Sequence, residues 1–251
     1  MRAALVFVGP AGAGKSTLVS AYGRWLRDNG YAVALINLDP AADYIPYIPD
    51  YDVRKIVYTR DLATKLGLGP NGALVKAIEI LTQRIDSVVS ELSSLDAEYM
   101  LIDTPGQMEV FVFRDLAPRF MEALARVCDR VAAIFVVDAN LLKSPEDYAF
   151  IAVMSVAMQI RLGVDVVPVV NKVDEASVDE FVGDVVSDVE KVIEALRSKG
   201  IYGDMMARVL EAVWSYAKAA YVPRVSAREG LGLEDLHRIV HELTCSCGDL
   251  T

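Results

Sequence analysis

The stretch Gly9-Pro10-Ala11-Gly12-Ala13-Gly14-Lys15-Ser16 restricts the possible folds of this chain more than any other. It follows the apolar run Ala3 to Val8 and leads into a helix-like segment from Thr17 to Asp28. Strand, glycine loop ending in Lys-Ser, then helix is the context in which this spacing makes a phosphate cradle. The glycines let the backbone wrap closely, so that N–H groups from Gly12, Ala13, Gly14, Lys15, Ser16 and Thr17 converge with the helix N-terminus on an anion. Lys15 adds a compact charge for the β- and γ-phosphates, and the Ser16 hydroxyl is an oxygen ligand for Mg²⁺. A plain glycine turn opening a helix is the alternative, disfavoured by the strand in front of it. The expectation is a bound nucleotide.

A second apolar run, Tyr31 to Ile36, ends in Asn37-Leu38-Asp39-Pro40. Two strands joined by a helix should lie parallel through a right-handed crossover. Asp39 then falls at the carboxyl edge of the sheet, where ligands of open α/β folds bind, although a turn residue before Pro40 is the plainer use of such an Asp. Glu98 to Asp103 reads as a third strand and runs into Thr104-Pro105-Gly106-Gln107-Met108-Glu109. A strand ending in Asp before a glycine turn suits a carboxylate that holds Mg²⁺ through water and an N–H, from Gly106, that meets the γ-phosphate. Gln107 and Glu109 are placed to orient an attacking water.

The fifth strand, Asp165 to Val170, leads into Asn171-Lys172-Val173-Asp174. The Asp174 carboxylate suits the two donors of guanine, N1–H and the N2 amino group. The Lys172 stem would cover the base, and Asn171 would tie this loop to the phosphate cradle. Adenine offers neither donor, and sites built on such bonds discriminate by about 10⁴-fold or more. A helix N-cap is the competing use of this tetrapeptide. Ser226-Ala227 follows the last strand and offers a backbone N–H to guanine O6.

Between these motifs, Ala41 to Gly72 carries Tyr44, Tyr47, Tyr51 and Tyr58 with no sustained helical or strand period, and reads as a long irregular segment that is functional or mobile. It ends in Leu68-Gly69-Pro70-Asn71-Gly72 before one long helix whose Leu74, Ile78, Leu81, Ile85, Val88 and Leu92 alternate spacings of four and three. That stripe packs on its own sheet or faces a second subunit. Helices are expected over Phe111–Val127, Pro145–Leu162, Val178–Ser198, Asp204–Ala220 and Leu233–Leu243, with strands over Val131–Val137 and Tyr221–Val225. The sum is a three-layer α/β sandwich over residues 1–251, with a mostly parallel central sheet and helices on both faces. An insertion at about 41–72 and an extra helical segment at about 178–220 complete it.

The net charge of −10 argues against a broad nucleic-acid-binding surface. No uncharged run is long enough to span a membrane, and the chain begins directly in a strand, so a soluble cytoplasmic protein is expected. Three cysteines make no disulfide framework. His237, His241, Cys245 and Cys247 have a spacing that could close a zinc site, but a solvated helix end with a flexible tail is the preferred reading.

The motifs at Gly9 to Ser16, Asp103 to Gly106, Asn171 to Asp174 and Ser226-Ala227 occur in the order of P-loop GTPases. Gly69-Pro70-Asn71, placed between the second strand and Asp103-Thr104-Pro105-Gly106-Gln107-x-Glu109, resembles the GPN-loop GTPase family over almost the whole chain. The resemblance implies a Mg²⁺-dependent GTPase that turns GTP into GDP and phosphate slowly, with no arginine finger. It implies a homodimer in which Gly69, Pro70 and Asn71 enter the partner's site, Asn71 acting in trans on the γ-phosphate. Asp39 would take the place of a switch threonine, and Gln107 with Glu109 would position water. Family resemblance also implies a protein client connected with RNA polymerase assembly. A nucleotide-gated, chaperone-like scaffold is the rival reading. An ATPase of the dimeric arsenite-pump or septum-site type is disfavoured, because positions 10 to 13 lack its second lysine.

Overall fold

A computed structural model describes residues 1–175, 189–216 and 222–244. Among them the strands are β1 (Ala3–Val8), β2 (Val33–Asn37), β3 (Tyr51–Asp52), β4 (Tyr99–Asp103), β5 (Arg130–Asp138), β6 (Asp165–Asn171) and β7 (Arg224–Val225). They form one seven-stranded sheet in the order β3-β2-β4-β1-β5-β6-β7, and every pairing is parallel. The helices are α1 (Lys15–Asp28), α2 (Thr59–Leu66), α3 (Pro70–Gln83), α4 (Ile85–Ser93), α5 (Met108–Val112), α6 (Leu116–Leu124), α7 (Pro145–Leu162), α8 (Val189–Arg197), α9 (Gly200–Tyr216) and α10 (Leu233–Thr244).

The continuous apolar strands are explained by burial on both faces. On β1, Ala3, Leu5 and Phe7 pack in the core beneath α1 and α10. Ala4, Val6 and Val8 pack in the opposite core with α3, α4, α6 and α7. Each fully buried side chain of the size of Leu5, Val6 or Phe7 contributes about 1.5–3 kcal/mol relative to exposure. Parallel register brings the polar strand ends to one edge: Asn37 lies opposite Asp103, and Asp138 opposite Asn171. β1 sits at the centre, where connections leave in opposite directions, and the chain that follows it opens onto this edge.

Four expectations change. The segment 41–72 is not irregular: it holds β3, a 3₁₀ turn at Val53–Lys55 and α2. Its polar groups are satisfied within the segment and by β2. Asn37 Nδ2 donates to Asp52 Oδ1 (3.0 Å), Arg54 clasps Asp52 and donates to the Ala42 carbonyl, and Asp50 Oδ2 accepts from the Leu35 N–H at 2.7 Å. The long helix after it is divided at Arg84 (φ −112°, ψ 13°) into α3 and α4, with no glycine or proline at the break. The stripe from Leu74 to Leu92 runs across the break and is buried within its own chain, so a second subunit does not take these side chains. The helix expected over 111–127 is likewise two helices, α5 and α6. Residues 178–188 and 217–221 of the later expected elements lie outside the described residues, while α9 begins at Gly200, before the expected Asp204.

The end of the chain also differs. Cys245 and Cys247 lie outside the described residues, so the four-ligand arrangement is not visible, but His237 is not solvated. It is buried among Tyr22, Trp25, Tyr31 and Tyr99. Its Nδ1 is 2.9 Å from the Tyr22 hydroxyl and its Nε2 3.3 Å from the Tyr31 hydroxyl. Burial, and secondarily His241, lowers its pKa. The unfolded chain therefore takes up this proton near pH 6.5 and the folded chain only at lower pH, so stability falls as pH drops through that window. Thermal unfolding followed from about pH 7.5 to about pH 5.5 should show a falling midpoint, and His237→Phe should flatten the decline.

Candidate nucleotide site

The loop after β1 is shaped by two close approaches. A Cβ on Gly9 would meet the Val136 carbonyl oxygen of β5 at 2.3 Å. Gly14 has φ +87°, and a Cβ there would meet Asn171 Nδ2 at 2.5 Å. Only glycine fits either place, and α1 starts immediately after the second. Lys15 is buried, with Nζ donating to the Gly9 carbonyl at 2.9 Å and the Pro10 carbonyl at 3.1 Å. These are weak neutral acceptors for a buried ammonium, and a phosphate oxygen is a stronger one. Burial lowers the Lys15 pKa, while Asp103 and Asp39 oppose that shift.

Asn171 joins the loops. Its Nδ2 donates to the Ala13 carbonyl at 2.9 Å, and its Oδ1 accepts the Ala227 N–H at 3.1 Å. Lys172 sits at φ 66° and extends its Nζ to Asp138 Oδ2 at 2.6 Å, which stretches its stem along the loop. Together Gly14, Thr17, Asn171, Lys172, Asp174, Glu175, Ala227 and Arg228 enclose a cavity of about 180 Å³. Asp174 is exposed at its mouth. The Ser226 N–H donates to the Leu231 carbonyl, so of this pair only Ala227 has an N–H facing the site, and an O6 contact shares that hydrogen with Asn171.

At the phosphate end, Asp103 closes β4 and is buried. Its Oδ2 accepts from the Tyr47 hydroxyl at 3.1 Å, and its Oδ1 is buried with no hydrogen-bond partner among the described residues. Burial raises its pKa to about 6, against the pull of the Ser16 hydroxyl, Lys15 and Tyr47. Asp39 is raised by burial and lowered by the N–H groups of Ala41 and Gly106 and by Lys15 and Arg54, which places it between the loop and the Gly106 turn. An orphaned carboxylate oxygen beside a second carboxylate and a serine hydroxyl is a hard, anionic oxygen set, and it fits Mg²⁺. Ser16, Asp39 and Asp103 would hold the ion, which supplies positive charge for the β- and γ-phosphate oxygens.

The turn and the tripeptide meet. Gly69 is the N-cap residue of α3, Pro70 its first residue, where the missing N–H costs nothing, and Asn71 the next. All three are exposed. Asn71 Oδ1 accepts from Gln107 Nε2 of the same chain at 3.2 Å, a contact the sequence did not reveal. Glu109 is exposed in the first turn of α5. Sequence reasoning also missed Tyr47 and Asp138, which carry no motif signal and reach the site only through the fold.

A glycine cradle after β1, a carboxylate closing β4 and a base pocket after β6, all on one edge of a parallel sheet, define a P-loop nucleoside triphosphatase of the guanine-binding kind. A family profile described as "Conserved hypothetical ATP binding protein" matches residues 7–246. The chain is 35% identical to GPN-loop GTPase PAB0955 of Pyrococcus abyssi, over 98% of this chain and 99% of that one. It is 32% identical to GPN-loop GTPase QQT1 of Arabidopsis thaliana over 67% of this chain and 57% of the relative. The crystal structure of PAB0955 in apo form superposes with a TM-score of 0.88 at 32% identity, covering 97% of this chain and 98% of that one. The chain belongs to the GPN-loop GTPase family. The profile's wording names ATP, whereas these relatives are named GTPases, so the base preference rests on the pocket's own chemistry.

Proposed function

We propose that this chain is a GTP hydrolase, converting GTP and water into GDP and phosphate in a Mg²⁺-dependent site that works within a homodimer. The observation that carries the base assignment is Asn171, which bonds both the phosphate loop and the Ala227 loop and so fixes the Asp174 pocket relative to the cradle. With GTP seated, Lys15 leaves two backbone carbonyls for phosphate oxygens, and the N–H groups from Gly12 to Thr17 take the rest of the charge. Gln107 and Glu109 hold the attacking water in line with the γ-phosphorus, and the Gly106 N–H meets the γ-phosphate.

In this reading Asn71 of each subunit supplies its amide to the partner's γ-phosphate, and the exposure of Gly69, Pro70 and Asn71 supports it. Steady phosphate release from GTP with Mg²⁺, absent with ATP and absent from Lys15→Ala, is the expected result. Equal release from both nucleotides would sink the assignment.

A second reading, a nucleotide-gated scaffold for a protein client, is favoured by one feature. Tyr44 and Ile48 are 80% and 89% exposed on the segment whose Tyr47 reaches Asp103. A client bound there would sense the phosphate site directly.

A further inference from the structure

Tyr47 lies on the segment between β2 and β3, downstream of Asp39 and outside every nucleotide motif, yet its hydroxyl donates to Asp103 Oδ2 at 3.1 Å. The ring is partly buried against the core beneath α1. Its backbone neighbour is anchored independently, because the Ser20 hydroxyl of α1 donates to the Pro46 carbonyl at 3.0 Å. Farther along, Asp50 is fixed to Leu35 of β2 through both its backbone and its carboxylate. The hydroxyl is thus presented by a braced segment.

Asp103 gains two things from this contact. One carboxylate oxygen is occupied by a neutral donor, while the other, Oδ1, is buried without a hydrogen-bond partner among the described residues. A carboxylate with both oxygens free could rotate about its terminal torsion, which is broad for Asp. One with Oδ2 pinned presents Oδ1 in a single direction. Ser16 and Asp39 supply the other oxygens of the proposed cation site. A phenol carries its proton at neutral pH, and the ionised carboxylate has only acceptors, so the hydroxyl is the donor of this bond.

We propose that Tyr47 is a positioning residue for the divalent cation: by holding Asp103 Oδ2 it aims the free oxygen at Mg²⁺ or its water, and so sets cation affinity without touching the nucleotide. The inference rests on the Mg²⁺-dependent GTPase reading above and adds to it a residue that no nucleotide motif marks. A hydrogen bond to a charged group is strong enough that losing it should cost about tenfold in cation affinity.

The test uses the full chain carrying Tyr47→Phe, which keeps the ring and removes only the hydroxyl. Dissociation of a fluorescent GDP analogue is followed while Mg²⁺ is titrated, and GDP affinity is measured separately in excess chelator. The Mg²⁺ concentration giving half of the slowing should rise about tenfold, with affinity in chelator unchanged within about twofold. An unmoved half-point overturns the inference. So does an equal loss with and without the cation, which would mark Tyr47 as a general packing residue. If the unaltered chain binds no guanine nucleotide, or binds it with no response to Mg²⁺, the functional reading itself fails and takes this inference with it.

Discussion

Asp174→Asn is expected to weaken guanine nucleotide binding by about 10³–10⁴-fold and to bring xanthine nucleotides to comparable or tighter affinity. The carboxylate of Asp174 has only acceptors, which pair with the N1–H and N2 amino donors of guanine. An Asn there places an N–H₂ group against the N2 amino group, and two donors then face each other with neither satisfied. Xanthine carries a carbonyl at that carbon, so the new donor finds an acceptor. Because Asp174 is exposed at the rim of the cavity, the substitution leaves no buried hole and the fold should persist. Competition between fluorescent GDP and unlabelled GDP or XDP reads the exchange. Unaltered GDP affinity would remove Asp174 from the base site.

Asn71→Ala and Gln107→Ala should each lower single-turnover hydrolysis by about 10²–10³-fold, the usual cost of losing one donor aimed at transition-state charge or at the attacking water. GDP affinity should change by less than about threefold, because neither residue belongs to the cradle or the base pocket. The contact between Gln107 Nε2 and Asn71 Oδ1 gives this pair a second possible action, since Asn71 could orient Gln107 within its own subunit.

Mixed dimers distinguish the two routes. When Asn71→Ala chains are combined with Lys15→Ala chains, each heterodimer has one site with an intact Lys15, and Asn71 can reach that site only from the other subunit. Action in trans predicts about a quarter of wild-type turnover from an equal mixture, because half of the dimers are mixed and each has one working site. Action in cis through Gln107 predicts none, since every chain that binds GTP then lacks its own Asn71.

The parts of the site that lie on consecutive residues were legible. Gly9 to Ser16, Asp103 to Gly106, and Asn171 to Asp174 each announce themselves by spacing, and apolar strands covered on both faces put them on one edge. What escaped depends on contacts between distant residues. Tyr47 meets Asp103 across 56 positions, and Lys172 meets Asp138 across 34. The segment 41–72 shows no periodicity because its core residues, Tyr51, Val53 and Val57, follow no single helical or strand face, the rest of its order comes from the polar contacts of Asn37, Asp50, Asp52 and Arg54, and α2 buries none of its residues. The break at Arg84 is hidden for the opposite reason. The buried stripe continues through it, and neither glycine nor proline marks it.

Titration calorimetry of the folded chain with GTP and with ATP, both in Mg²⁺, measures the central claim directly. A triphosphate held in the Gly9–Ser16 loop while Asp174 pairs with its base predicts GTP binding tighter than ATP by about 10³-fold or more. Comparable affinities for the two would contradict it, and would agree instead with the ATP named in the family profile's description.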